Sequence, residues 1–254
     1  MIFGCAGQRE TIVATIAVYS MKGGVGKTSL AVNLAWAAAT LSKRRTLLWD
    51  LDGQAAASFI LADGRKAGDE ARAVIEKDVA PERLIVKTHI PLLDLLPADA
   101  SLHQLDALFS ELDRKKRILR LTEGLQRAYD HIILDCPPGL GSTSEQVMRG
   151  AALILMPMIP SILSQRAFTE VRDHLTRHHK GGPPIIPVFS MVDRRRIAHR
   201  KAMAEAPDCP AIPMASAVEQ MADRHAALGE YAPKSPAAIA VATLWRAIEE
   251  RLAR

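Results

Sequence analysis

Apolar residues along this chain fall into short runs closed by glycine, proline or an acid, and these runs alternate with stretches of helical period. Residues 11–20 are β-branched and almost wholly apolar through Ile12, Val13, Ile16 and Val18, as expected of a central parallel strand buried on both faces. Residues 29–41 are Ala-rich and helical in pattern, ending before the basic turn Ser42-Lys43-Arg44-Arg45. Residues 46–49 read as a second buried strand running into Asp50-Leu51-Asp52, and residues 92–96 as a third, stopped by Pro97. Helical patterns over 102–109 and 118–128 lead to a further apolar run, 131–134, closed by Asp135 and followed by Cys136-Pro137-Pro138-Gly139. Residues 152–156 and 185–192 are the next strand candidates. Pro157 interrupts the apolar stretch 151–159, and a polar helical stretch (164–179) and the breaker Gly181-Gly182-Pro183-Pro184 separate the two strands. A last helix, 236–254, carries Ile239, Leu244, Ile248 and Leu252 on one side.

Strands alternating with helices predict an α/β fold, a doubly wound, mostly parallel sheet flanked by helices. With no internal repeat and no convincing linker, the expected organisation is a short N-terminal tail (1–10) and a single domain (11–254). A content of 48% hydrophobic and 24% charged residues is enough to bury a full core and argues against disorder. No apolar run approaches the roughly 20 residues that cross a bilayer, and the N-terminus lacks a basic segment followed by a long apolar one, so a cytoplasmic location is expected. Cys5, Cys136 and Cys209 are scattered without a CxxC pair, which speaks against a zinc knuckle, an iron–sulfur cluster or a disulfide framework. His174, His178 and His179 have near-helical spacing, but no acid or cysteine at ligand spacing completes a metal site. Trp36, Trp49 and Trp245 are expected in the core.

The stretch Lys22-Gly23-Gly24-Val25-Gly26-Lys27-Thr28-Ser29 stands between the first strand and the first helix. Small residues there let successive backbone N–H groups converge on phosphate oxygens, and the helix N-terminus adds its positive end. Gly23, Gly24 and Gly26 supply the freedom, Val25 and Ser29 complete the cradle, Lys27 reaches the β/γ-phosphates, and the Thr28 hydroxyl ligates Mg²⁺. The expected cofactors are ATP and Mg²⁺. Asp135 fits the acid that holds Mg²⁺ through water. Asp50 either supports the magnesium shell or serves as a capping or salt-bridged acid.

The loop departs from the common pattern, with Met21 where a first glycine is expected and a second lysine, Lys22, directly after it. In this form it resembles the deviant Walker A loop of the ParA/MinD family of P-loop ATPases, closest to the partitioning branch. The resemblance implies that Lys22 reaches across a dimer to the nucleotide of the partner subunit. It also implies that Asp52, in a stretch similar to the family's switch I, positions or activates the attacking water. Glycine (Gly53) stands where proline is more usual after that acid. Residues 136–141 resemble switch II, and residues 186–195 resemble the strand near the base pocket. Ile212-Pro213 and the terminal stretch from Ser235 also look familial.

By the same resemblance the chain is a homodimer with ATP, hydrolysing it slowly under stimulation by an adaptor protein. It would bind DNA non-specifically and position or segregate a cargo. A net charge of +5 and a pI near 9.2 are consistent with a polyanionic partner. Arg194, Arg195 and Arg196, with Arg200 and Lys201, are the candidate phosphate-backbone contacts, Arg196 and Arg200 sharing a face if the segment is helical. Arg114-Lys115-Lys116-Arg117 is a weaker candidate, since an exposed helix start explains it. A nucleoid-associated location follows. With only ten or so residues before the first strand, an operator-reading domain and sequence-specific binding are not expected. The alternatives are a MinD-like membrane-associated ATPase, which the acids of the last helix disfavour, and a fold-related metabolic ligase, which Lys22 disfavours.

Overall fold

Side chains that alternate along the central strands feed two separate cores, one on each face of a single sheet. The computed structural model describes residues 13–62, 71–76, 79–111, 116–178 and 181–253. Within them the strands are β1 (Ala14–Val18), β2 (Thr46–Asp50), β3 (Val86–Lys87), β4 (Leu93–Leu96), β5 (His131–Asp135), β6 (Leu153–Met158), β7 (Ile185–Val192) and β8 (Ala211–Pro213). They form one eight-stranded sheet in the order β3-β4-β2-β5-β1-β6-β7-β8. Every pairing is parallel except that of the edge strand β3 with β4. The helices are α1 (Lys27–Thr40), α2 (Ala56–Leu61), α3 (Ala71–Glu76), α4 (Leu105–Glu111), α5 (Arg117–Leu125), α6 (Ser142–Gly150) and α7 (Ile162–His178). Beyond these come α8 (Ile197–Glu205), α9 (Ser216–Glu219), α10 (Met221–Arg224), α11 (Leu228–Tyr231) and α12 (Pro236–Leu252).

Ile16, Val18, Leu48, Ile133, Leu153 and Leu155 point to one face, where α1, α2, α11 and α12 cover them. Their neighbours Ala17, Leu47, Trp49, Ile132, Leu134, Ile154 and Met156 point to the other, against residues of α3 to α7. This is the period of two expected of strands buried on both sides. Ten of the fourteen residues of α1 are buried, so its alanines admit the sheet on one side and α12 on the other. Trp49 and Trp245 lie in these cores as expected, and Trp36 packs partly buried against the first.

The predicted fold is the observed one, with local differences. Pro157 does not interrupt β6. Leu155 O accepts from Tyr19 N on the β1 side, and Pro157, two residues on, faces that side after β1 has ended at Val18, so no ladder bond is lost. On α12 the buried stripe is Val241, Leu244, Trp245 and Ile248, while Ile239, expected with them, is exposed. The short strands β3 and β8 have no clear strand signal in the sequence, and the helical pattern expected over 102–109 divides into the 3-10 turn Ala100–Gln104 and α4. The N-terminal tail, Cys5, His179, Arg114 and Lys115 lie outside the described residues. Among the described residues no helix is long and apolar enough to cross a membrane, and no group of three or more His, Cys, Asp or Glu is placed to hold a metal ion among themselves.

Candidate nucleotide site

All parallel strands end at one edge of the sheet, and the glycine loop leaves β1 there. Gly24 (φ +68°) and Gly26 (φ +83°) hold left-handed backbone, which a side chain would strain. Gly26 is also the N-cap of α1 and brings no side-chain oxygen, so the first N–H groups of α1 are left to a ligand. The loop is pinned from beneath: Val25 is buried, and its carbonyl accepts from Ser190 Oγ of β7 at 2.8 Å. Lys27 is buried in the first turn, Thr28 and Ser29 are half-buried beside it, and Gly23 is exposed. Lys22 is half-buried at the loop's start, its backbone N–H donating to Ser20 Oγ.

Two carboxylates stand level behind the loop. Asp50 ends β2, Asp135 ends β5, and they are register partners in the sheet. Asp50 is satisfied by the protein: Oδ1 accepts from Asp52 N at 3.1 Å, and Oδ2 accepts from Ser58 N at 2.9 Å and Ser58 Oγ at 2.8 Å. One of these donors, Ser58 N, is a first-turn N–H of α2, as a capping acid would take. Asp135 is fully buried, and neither of its oxygens has a hydrogen-bond partner among the described residues. Burial pushes its carboxyl well above the usual carboxylate range, the charge of Asp50 adds to the rise, and the Thr28 hydroxyl and Lys27 pull it back without a well-formed hydrogen bond. Burial also lifts Asp50 to about 6, against the pull of its Ser58 and Asp52 donors. An orphaned buried carboxylate beside a second acid, a lysine and a hydroxyl fits a divalent cation. Cys136 is pushed up by burial and by Asp135, which leaves it an unreactive thiol.

Asp52 lies on the turn after β2, partly exposed, with Oδ1 accepting from Gln54 N at 3.0 Å. Gly53 packs directly under the 3-10 turn: a Cβ there would come within 2.6 Å of His103 Nδ1 and 2.8 Å of His103 N. That contact explains why neither proline nor any other side chain stands after Asp52. The loop after β5 is tied to the glycine loop, since Gly139 N donates to Met21 O at 3.2 Å and Tyr19 Oη to Gly139 O at 2.7 Å.

A mostly apolar cleft of about 590 Å³, counting its open mouth, flanks the start of α1. Ser190 and Met191 of β7 and Ile212-Pro213 of β8 line it, which are positions singled out in the sequence. Asn33, Val218 and Glu219 also line it, and no local motif marked them.

The basic cluster lies at the end of β7, on the same sheet edge. It differs from the expected helical face: Arg194–Arg196 form a turn, and α8 begins only at Ile197, with Arg196 an extended N-cap. Arg195 is paired with Asp193, whose carboxyl it holds down at about 2. Arg200 folds back, its guanidinium donating to the carbonyls of Arg194 and Arg195 at 3.0 and 2.9 Å. Lys201 faces Glu205 at 3.9 Å. Arg194, Arg196 and Arg200 are therefore the exposed cations not matched by an acid in this turn.

A parallel sheet with a glycine loop running into a helix, and a lysine, a hydroxyl and an acid converging behind it, defines a P-loop nucleotide-binding protein. A family model described as an AAA domain matches residues 13–180. The chain is 31% identical to the chromosome partitioning protein ParA of Caulobacter vibrioides over 188 residues, 71% of this chain and 70% of that one. Among solved structures it is similar to cobyrinic acid a,c-diamide synthase from Mycobacterium smegmatis with a bound ATP analogue and magnesium (TM-score 0.78, 25% identity, 94% and 95% of the two chains). The cell division ATPase MinD of Pyrococcus furiosus shares the fold at TM-score 0.78 and 22% identity, over 94% of this chain and 99% of that one. The chain belongs to the ParA/MinD family of P-loop ATPases.

Proposed function

We propose that this chain is an Mg²⁺·ATP-dependent dimeric switch that binds DNA without sequence preference and releases it on hydrolysis, thereby positioning a cargo. The observation that carries the ATPase reading is Asp135, a fully buried carboxylate left without a protein donor beside Thr28 and Lys27. In this reading Gly23–Ser29 cradle the phosphates, and Thr28 and Asp135 hold the cation. Asp52 orients the attacking water, and Lys22 acts on the partner subunit's nucleotide as an added cation for the transferring phosphoryl group.

DNA is favoured as the partner by Arg194, Arg196 and Arg200, exposed at the nucleotide edge, and by the net charge of +5. The apolar face of α12 is already packed against the sheet and α1, which supports DNA over a membrane surface. A nucleoid-associated location and a stimulating adaptor belong to the same reading.

With ATP and Mg²⁺, a hydrolysis-blocked Asp52→Ala protein should dimerise and retain arbitrary duplex DNA in a salt-sensitive manner. Light scattering and DNA retention at low salt check this. A protein that stays monomeric, or that ignores DNA, sinks the proposal, and stronger retention on anionic liposomes than on DNA favours the membrane alternative.

A further inference from the structure

The segment from Ala98 to Glu111 belongs to none of the nucleotide motifs, yet it touches the loops after both β2 and β5. At its start Ala98 N donates to Ser58 Oγ at 2.9 Å, the hydroxyl that also bonds Asp50. Its 3-10 turn closes over Gly53 through His103. One turn on, Asp106 Oδ1 accepts from Thr143 N at 2.8 Å, in the first turn of α6. The Asp106 carboxylate also fills the space beside Gly141, where a Cβ would collide with its Oδ2.

This arrangement answers a deficiency in α6. Its N-cap is Gly141, which has no side-chain oxygen to offer the first-turn N–H groups. The cap comes instead from another helix, α4, whose Leu105, Leu108 and Phe109 are buried in the core and fix it in place. Ser110 and Ser142 hydroxyls, 2.7 Å apart, add a second tie between the same helices. The loop after Asp135 thus hangs between two anchors, the glycine loop at Gly139 and Asp106 at its far end.

We propose that Asp106 is a positioning residue for nucleotide turnover, holding the loop between Asp135 and α6 in the geometry needed at the phosphate end of the nucleotide. The inference rests on the ATPase reading above. Asp106 acts through the backbone it holds and touches no reacting atom. Its loss lets the loop shift while the glycine loop stays pinned by Ser190, so turnover suffers more than ATP affinity.

Steady-state hydrolysis by the full chain, with melting curves for each variant, tests this. Asp106→Ala should lower kcat about tenfold while KM for ATP stays within about twofold, and Asp106→Asn, which keeps an acceptor oxygen, should recover most of the loss. Gly141→Ala, whose Cβ displaces the Asp106 carboxylate, should reproduce the alanine phenotype with Asp106 itself intact, and it decides the matter should Asp106→Ala fail to fold. A wild-type chain without ATP turnover overturns the ATPase reading and this inference with it. Wild-type turnover with unchanged kcat in Asp106→Ala and Gly141→Ala overturns the positioning role alone, as does a loss expressed only in KM or one that asparagine does not relieve.

Discussion

β2 and β5 lie side by side, each an apolar run closed by an aspartate, and the two aspartates stand level in the sheet. Their surroundings differ because the chain leaves the two strands differently. After Asp50 the chain turns back: the residue two positions on, Asp52, donates its N–H to the carboxylate, and Ser58 of α2 supplies two more donors. After Asp135 the residue two positions on is Pro137, which has no N–H to give, and Thr143, at the separation of Ser58 from Asp50, donates its N–H to Asp106 instead. The same strand pattern therefore ends once in a carboxylate with three protein donors and once in a carboxylate with none among the described residues.

The largest effect expected from this difference is seen by neutralising each acid. Asp135→Asn should cut ATP turnover by about 100-fold or more, because the cation loses its protein anchor. In the nucleotide-free protein the same change takes an ionisable group out of a buried, donor-free position beside Asp50 and should leave stability unchanged or raise it by up to about 1 kcal/mol. Asp50→Ala has the opposite signature, since it strands three donors that the carboxylate satisfied and should cost about 2–4 kcal/mol. Urea denaturation of both variants without nucleotide checks the pair. If Asp135→Asn proves the more destabilising, the division of roles between the two acids is wrong.

A subtler test replaces Pro137 alone. Pro137→Ala restores an N–H two residues after Asp135, at the position from which Asp52 serves Asp50. The new donor should compete with the cation, raising the Mg²⁺ concentration for half-maximal turnover by about 3–10-fold while leaving maximal turnover close to wild type. A magnesium titration unchanged by the substitution would mean that other features keep Asp135 open.

The contrast between the prolines and the returning turn stands in the one-dimensional sequence, and so does most of the nucleotide edge. The glycine loop, the helix after it and the acids at strand ends are local patterns, set by backbone freedom and by period. The sheet order is less local but is constrained by alternating strands and helices. Other features depend on elements distant in the chain. Asp106 looks like an ordinary exposed helix acid until α4 and α6 are side by side, and Gly53 looks like turn punctuation until His103 lies over it. The basic run after β7 shows the reverse failure. Counting its charges misses that Asp193 matches Arg195 and that Arg200 serves its own turn's carbonyls.

β5 carries a second buried polar group without a partner among the described residues. At the opposite end from Asp135 stands His131, also buried, with Nδ1 lacking a hydrogen-bond partner among the described residues and its ring edge-on to Trp245 at 5.2 Å. Here the orphan is neutral. Burial, with Arg44 adding to it and Asp130 opposing, brings the imidazole down to about 4 from an ordinary 6.5. Between those values the unfolded chain binds the proton and the folded one does not, so stability present above pH 6.5 drains away as pH falls towards 4. The loss should reach on the order of 2–3 kcal/mol by pH 4. Asp50 runs the other way, because a raised carboxyl takes up its proton more readily in the folded state between its ordinary value and about 6. The two slopes are separated by His131→Gln, which removes the histidine contribution and leaves that of Asp50. The stability difference between wild type and His131→Gln, measured by denaturation from pH 7 to pH 4.5, should therefore fall steadily with acidification. A difference independent of pH would show that His131 is protonated as easily inside the fold as outside it.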